Sequence, residues 1–288
     1  AIRIGDPASW DRAVAAIRRA FGRQFDVVTV DSPASSDGDG SAASAEAART
    51  ARGAEVYVGF GISREVAAAA AGTLRWAHSA NVGVGASLTP ELLAIGAAFT
   101  NSRGILGEPM ADWTVAAISL CLRGFHAAIA AQREGRWAKG AFTDGSVPVR
   151  ELSGVRVGLV GLGGVGAAVA RRCAALGMEV RAIRRRPRLQ RPQGVKWVGG
   201  PRDLPRLARQ TDVLVITAPE TVATRAMVDD AVLSALPDGA YVINASRGGL
   251  LDEAALLRQL DGGHIAGCVL DVFAVEPLPP DHPFWRHP

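Results

Sequence analysis

The sequence predicts an α/β protein made of two Rossmann-like, doubly wound parallel-sheet domains. Three observations predict this. Short apolar runs alternate with amphipathic helical stretches along nearly the whole chain, the pattern of βα units in a sheet covered on both faces. A glycine-rich turn, Gly161-Leu-Gly163-Gly-Val-Gly166, stands between an apolar strand and an Ala/Val-rich helix. The 288 residues are 48% apolar, enough to bury a core in each of two domains of ordinary size.

The elements follow in order. "IRIG" is a short strand. "SWDRAVAAIRRAFG" is a helix with Ser9 as its cap, Val14, Ile17 and Phe21 on one face and Gly22 as its stop. "FDVVTV" reads as a buried strand, and "DSPASSDGDGSAAS" as a polar, Gly- and Ser-rich loop. "EVYVGF" is a further strand, followed by a helix capped at Ser63; "LRWAHSA" and "AAFTN" close the unit. A long helix then starts near Pro109, a proline suited to a first turn, and runs through "MADWTVAAISLCLRGFHAAIAAQREG". It is apolar nearly all round, so burial on several sides is expected. A homodimer interface is the preferred role and an interior packing helix the alternative. From Val155 the order is strand, turn, helix, strand: "VRVGLV", "GLGGVG", "AAVARRCAALG", "MEVRAI". "DVLVIT", "AYVINA" and "IAGCVLDVF" continue it, for about six strands in this half. The boundary is placed near residue 100, giving domains over residues 1–100 and 101–288.

Composition narrows the function. The chain has 32 basic and 28 acidic residues, net +4, and Lys139 and Lys196 are its only lysines. A pI near 9.4 would suit a nucleic-acid partner. The arginines are spread along the chain and the aromatic content is 6%, so no nucleic-acid partner is expected. Cys121, Cys173 and Cys268 are far apart and form no CxxC, which points to a reducing, cytoplasmic setting without disulfides or a metal site. No signal segment is visible. "VAAAAAGTL", the longest small-apolar run, is too short to span a bilayer, so no membrane partner is expected. The chain opens at Ala1 without a methionine, so its start is expected to be trimmed.

The glycines carry the first chemical reading. Gly161 permits the tight turn, Gly163 lets the backbone approach a pyrophosphate, and Gly166 lets helix and strand pack closely. Gly164 and Val165 open the helix, whose N-terminus offers free N–H groups and a positive dipole end. An acidic residue is expected about twenty residues later to bind a ribose 2′-OH. That place holds Arg184, followed by Arg185 and Arg186, with no acid nearby. A carboxylate there would repel a 2′-phosphate, whereas guanidinium groups would pair with it, so NADP(H) is favoured over NAD(H). A solvated basic loop is the plainer alternative. No Tyr-x-x-x-Lys pair or Gly-Lys-Ser/Thr turn is present, which excludes short-chain dehydrogenases and P-loop NTPases.

"GLVGLGGVG", "NASRGGLLDEAAL" and "GCVLDVFAVEPLPPDHPFW" occur in that order, preceded by "FTNSRGILGEPMADWTV". Together they resemble the D-isomer-specific 2-hydroxyacid dehydrogenase family, in particular its 2-ketoacid reductases of the glyoxylate/hydroxypyruvate reductase kind. The likeness runs from about Glu55 to the end. It implies a flavodoxin-like substrate domain and an NAD(P)-binding Rossmann domain. It also implies reversible hydride transfer between nicotinamide C4 and the carbonyl carbon of a small 2-oxo acid. By the resemblance, Arg247 is the substrate-binding arginine, gripping the carboxylate and polarising the keto oxygen. Glu276 is the acidic partner of a catalytic histidine, raising its pKa so that it can donate a proton. Thr217, Ala218, Pro219, Ala245 and Ser246 are cofactor contacts, and Asp271 faces the nicotinamide amide. Gly59, Phe60 and Gly61 match the loop whose N–H groups hold the substrate carboxylate.

Two departures stand out. Gly85 occupies a position where the family usually has Asp. The catalytic histidine is expected in a Thr-Pro-His type segment after "HPFW", and none of His78, His126, His264, His282 and His287 stands in such a motif. The chain is therefore expected to be part of a longer enzyme. The alternative is a non-catalytic dinucleotide sensor on the pattern of the corepressors that share this fold.

Overall fold

A computed structural model describes residues 2–3, 7–31 and 45–287. The expected loop over 31–44 therefore lies, except for Asp31, outside the described residues, as do Ile4 and Gly5 of "IRIG". The chain divides into two compact units, Ala1–Ile105 and Leu106–Pro288.

The first unit runs β1 (Ile2–Arg3), α1 (Pro7–Phe21), β2 (Val30–Asp31), α2 (Ala45–Thr50), β3 (Val56–Gly59), α3 (Arg64–Ala69), β4 (Trp76–Ser79), α4 (Pro90–Ile95) and β5 (Ala98–Asn101). β1 pairs with β2, and β3, β4 and β5 form a second sheet in that order, all in parallel. Tyr57, Ile62, Val66, Ala77 and Leu92 are central to its core. The Ser63 hydroxyl accepts the Val66 N–H at 3.3 Å and caps α3 as expected. Two expectations are corrected. α1 begins at Pro7, whose fixed φ suits a first turn, so Ser9 lies inside the helix. Among the described residues "FDVVTV" is regular only at Val30, which pairs with Ile2 of β1; Phe25 and Val28 are exposed. Of the face expected on α1, Val14 is buried while Phe21 is exposed, its ring edge-on to Phe25 at 5.4 Å.

The second unit runs α5 (Gly107–Leu122), α6 (Phe125–Arg133), β6 (Arg156–Val160), α7 (Gly164–Ala175), β7 (Glu179–Ile183), β8 (Val195–Gly199), α8 (Leu204–Ala208), β9 (Val213–Ile216), α9 (Asp230–Ser234), β10 (Ala240–Asn244), α10 (Glu253–Asp261) and β11 (Ile265–Leu270). Its six parallel strands stand in the order β8-β7-β6-β9-β10-β11. The chain thus builds outward from β6 one way and from β9 the other, so β6 and β9 flank the switch point where such sheets bind ligands. α5 and α7 cover one face, setting Ile118, Leu122 and Val169 on Leu159, Val213 and Ile243. α8, α9 and α10 cover the other, setting Leu207, Leu233 and Leu256 on Leu214, Ile216 and Val242. Both faces are closed, which is why the strands read as continuous apolar runs.

The single long helix expected after Pro109 is two helices. α5 starts at Gly107, and the chain breaks at Gly124, whose φ of 66° is left-handed. A Cβ at Gly124 would lie 2.8 Å from Val147 Cγ1, so the break is also where the following segment packs down. The two helices meet at 72°, and no single helix among the described residues is long and apolar enough to cross a membrane. Ala111, Ala117, Ile118, Cys121 and Leu122 of α5 are spent on the unit's own core, whereas Phe125 and Ile129 of α6 are exposed.

A polar staple closes the N-terminal edge of this sheet. The buried Asp212 carboxylate accepts the Arg156 backbone N–H at 2.8 Å and the Arg156 guanidinium at 3.0 and 2.7 Å, with Arg150 at 3.4 Å. Burial alone would raise its pKa. The Arg156 hydrogen bonds and the Arg150 charge outweigh burial and hold the carboxyl below the usual carboxylate range. A depressed folded pKa means the stabilisation is present above the unfolded value, about pH 4. It is lost as pH falls through the folded value. Asp212→Asn is expected to cost roughly 1.5–3 kcal/mol of unfolding free energy at pH 7. Denaturant titrations at pH 7 and pH 3 check this; a gap between wild type and variant that does not shrink at pH 3 refutes the staple.

Candidate functional site

The expected site residues of the second unit fall just past the C-terminal ends of successive strands. Gly161 follows β6, Arg184 follows β7, Thr217 follows β9, Ala245 follows β10 and Asp271 follows β11. All six strands are parallel, so these positions share one edge of the sheet.

Steric contacts assign each glycine of the turn. Gly161 has φ of 107°, and a Cβ there would lie 2.6 Å from the Ala218 N. Its N–H donates to Ile183 O at 3.0 Å. A Cβ on Gly166 would collide with Gly161 O and lie 2.9 Å from Thr217 Oγ1. The Thr217 hydroxyl donates to that same Gly161 O at 2.9 Å. Around Gly163 and Gly164 the picture reverses: a Cβ at either would meet no atom within 4 Å. Two glycines are therefore required by packing, and two border open space at the start of α7, beside its unpaired N–H groups. Val165 turns inward and packs on the core. A dinucleotide pyrophosphate fits this cradle in both room and charge.

Arg184, expected with Arg185 and Arg186 to meet a 2′-phosphate, is turned into its own loop. It is half-buried and donates to the Leu189 and Gln190 carbonyls of its own loop, at 3.0 Å for Gln190. Arg185 and Arg186 are exposed, and among the described residues neither guanidinium makes a hydrogen bond or ion pair.

Asn244, buried at the end of β10, builds the Arg247 loop. Its carboxamide oxygen accepts the Ser246 N–H at 3.1 Å and hydroxyl at 2.9 Å, and its amide nitrogen donates to Arg247 O at 3.0 Å. Its backbone carbonyl accepts the Asp271 N–H at 3.0 Å. Ala245 N–H reaches back to Ile216 O at 3.1 Å. The Arg247 guanidinium is exposed and donates to Ser246 O at 2.6 Å. Gly248 has no room for a Cβ against the Phe273–Ala274 backbone, and one on Gly249 would lie 2.7 Å from Glu220 Oε1. Pro219 O accepts the Thr224 hydroxyl at 2.7 Å, which shapes the loop after β9.

Glu276 is exposed and accepts the Phe273 N–H at 2.7 Å. All the histidines of this unit but His126 are engaged elsewhere. His264 pairs with Asp238 at 2.6 Å and His287 with Asp261 at 3.3 Å, His282 accepts the Phe284 N–H at 3.3 Å, and His126 is exposed on α6. Burial disfavours the cysteine thiolates, pushing the Cys121 and Cys173 thiols up to about 12 and Cys268 up to about 11.

In the first unit the carbonyls of the Gly59–Gly61 loop are all taken. Gly59 O accepts the Ala80 N–H at 2.7 Å, Phe60 O the Ser79 hydroxyl at 3.0 Å and Gly61 O the Tyr57 hydroxyl at 2.5 Å. Among the described residues no hydrogen bond claims the Phe60 or Gly61 N–H, which leaves two adjacent donors for an anion. Ser87 braces the loop by accepting the Ile62 N–H at 3.2 Å. A Cβ at Gly85 would meet nothing, so the departure there leaves the backbone unstrained. Asn244, Tyr57 and Ser87 are the residues the motifs did not single out. The signal for Asn244 was an amide ending the apolar run "YVIN", since a buried amide must find partners.

Fold and edge together define a dinucleotide-binding α/β protein. Residues 115–288, more than half of the chain, match the model described as "D-isomer specific 2-hydroxyacid dehydrogenase, NAD binding domain". The chain belongs to the D-isomer-specific 2-hydroxyacid dehydrogenase family. It is 43% identical over 132 residues to glyoxylate/hydroxypyruvate reductase A of Salmonella typhi, covering 46% of this chain and 42% of that one. A 2-hydroxyacid dehydrogenase from Xanthobacter autotrophicus Py2, solved with NADPH and MES, is 38% identical with a TM-score of 0.57, over 63% of this chain and 71% of that one. A family protein from Aeromonas salmonicida is 25% identical with a TM-score of 0.80, over 100% of this chain and 85% of that one. The chain spans about half the length of the curated relatives it matches, 42% and 57% for two of them.

The same substitution at two glycines should separate packing from binding. Gly166→Ala is expected to destabilise the second unit by roughly 1–3 kcal/mol through overpacking. Gly163→Ala should leave the melting temperature unchanged and weaken dinucleotide binding. Melting curves with and without coenzyme check both, and equal destabilisation by the two would contradict the assignment.

Proposed function

We propose that the protein is part of an NADP(H)-preferring reductase of small 2-oxo acids, with residues 1–100 serving the substrate and residues 101–288 the coenzyme. One observation carries the reading: an exposed guanidinium, Arg247, is held at the same sheet edge as a glycine cradle with open space over Gly163 and Gly164. The N–H groups of Gly163, Gly164, Val165 and Gly166 would hold the pyrophosphate. Thr217, Ala218, Pro219, Ala245 and Ser246 would line the rest of the path, with Asp271 toward the nicotinamide amide. A bound nicotinamide coenzyme supplies a hydride to the carbonyl carbon. Arg247 would grip the substrate carboxylate and draw charge from the keto oxygen. The free N–H groups of Phe60 and Gly61, with Gly59 setting the turn, would receive a carboxylate in the first unit. Glu276 would support the proton donor of the reaction, a histidine in the family pattern, by stabilising its charged form.

Coenzyme preference rests on charge. Arg185 and Arg186 are unpaired and no acid occupies the end of β7, which suits a 2′-phosphate. Glyoxylate and hydroxypyruvate are the first substrates to test, after the named Salmonella relative. A homodimer is proposed through the segment after Pro109. The face is narrowed to α6 and the turn beyond it, where Phe125, Ile129 and Trp137 are exposed. Three free cysteines and an absence of long apolar helices among the described residues accord with a cytoplasmic protein.

Steady-state assays with glyoxylate, hydroxypyruvate and phenylpyruvate test the reading, with NADPH expected to outperform NADH. Arg247→Ala should lower kcat/KM at least ~30-fold while coenzyme affinity holds. Tight coenzyme binding without turnover of any 2-oxo acid would favour the sensor alternative, and a neutral Arg247→Ala would remove its assigned role.

A further inference from the structure

The loop from β7 to β8 holds five arginines, at 184, 185, 186, 188 and 191. They fall into two kinds. Arg184 turns back into the loop, donating to the Leu189 and Gln190 carbonyls, and its Nε is buried. Arg191 donates to Lys196 O at 2.8 Å. These two guanidinium groups bind backbone carbonyls, Arg184 in the loop itself and Arg191 in β8. Arg185, Arg186 and Arg188 are exposed and, among the described residues, their guanidinium groups make no hydrogen bond or ion pair. Asp203, which with Pro187 borders Gly200, is already engaged, accepting the Gly200 N–H at 2.8 Å. The loop is fixed at its start, since Arg184 N–H donates to Gly199 O at 3.0 Å, and turns on itself where Leu189 N–H donates to Arg186 O at 3.3 Å. It is also tied to the glycine cradle, because the Ile183 carbonyl just before Arg184 accepts the Gly161 N–H.

Three unpaired like charges repel one another, and a free loop would splay them apart. Holding them close therefore needs a brace, and a brace set before the ligand arrives lowers the ordering cost of binding. We propose that Arg184 is that brace: a positioning residue that pins the Leu189 and Gln190 carbonyls so that Arg185, Arg186 and Arg188 stand ready for the coenzyme 2′-phosphate. The role rests on the NADP(H) reading above. It departs from the sequence expectation that Arg184 itself meets the phosphate.

The test compares wild type, Arg184→Ala, Arg184→Gln and Arg186→Ala by calorimetry with NADPH and NADH, and by amide hydrogen exchange without nucleotide. Arg184→Ala should weaken NADPH binding roughly tenfold, the size of one charge-assisted contact. It should leave NADH within about twofold and speed exchange across residues 185–191. Arg184→Gln keeps a donor for the carbonyls without the charge, so it should recover part of both effects. Arg186→Ala should weaken NADPH binding with exchange unchanged. Unaltered exchange in Arg184→Ala, or a Gln variant as poor as Ala, overturns the brace. A wild type that binds NADH as tightly as NADPH would instead defeat the coenzyme reading itself, visible before any variant is compared.

Discussion

The contact on which the second unit depends is the approach of α7 to the turn that ends β6. At Gly166 there is no room for a methyl group above the Gly161 carbonyl, and Thr217 Oγ1 donates to that same oxygen. Helix, turn and the loop after β9 therefore meet at one carbonyl. Because α7 comes in so close, its first N–H groups end at the sheet edge, in front of the space left by Gly163 and Gly164. A larger residue at 166 would tilt the helix away and take the donors with it. Binding capacity here follows from the absence of two side chains at one place and of two more beside it.

The two edges of the sheet are built for opposite purposes. At the N-terminal edge Asp212 is saturated by Arg156 and approached by Arg150, so its charges are matched. At the C-terminal edge, helix N–H groups and three arginines are left without partners. Burying an unmatched charge is costly, but leaving one at a solvent-facing edge is not. Excess positive charge is thus placed where an anion can reach it and neutralised where the sheet must hold.

The Arg247 loop shows the same economy. Asn244 uses both ends of its carboxamide to close the turn and its backbone carbonyl to set the start of the 271 segment. Gly248 then lets that segment pass directly over the loop. One buried amide fixes the level at which the guanidinium leaves the sheet edge, so the arginine's position is decided by a neighbour that carries no charge.

Much of this was legible in the sequence. The glycine spacing, the order of apolar runs and the lack of an acid after β7 depend only on local rules: which residues tolerate positive φ, which pack closely, and which charges repel. They pointed to the cradle and the Rossmann strands, while Arg247 was singled out by the family resemblance of the motif around it. Tertiary structure alone decided the rest, because it depended on which partner lay nearby in space. "FDVVTV" is strand only at Val30 among the described residues, where Ile2 lies alongside it. The helix after Pro109 breaks at Gly124 because the chain near Val147 packs against it. Arg184 and Arg185 are chemically identical neighbours, yet the Arg184 guanidinium holds the Leu189 and Gln190 carbonyls and that of Arg185 is exposed. Spacing along a chain sets what a residue can do; distances to residues far along the chain or folded back in a loop set what it does.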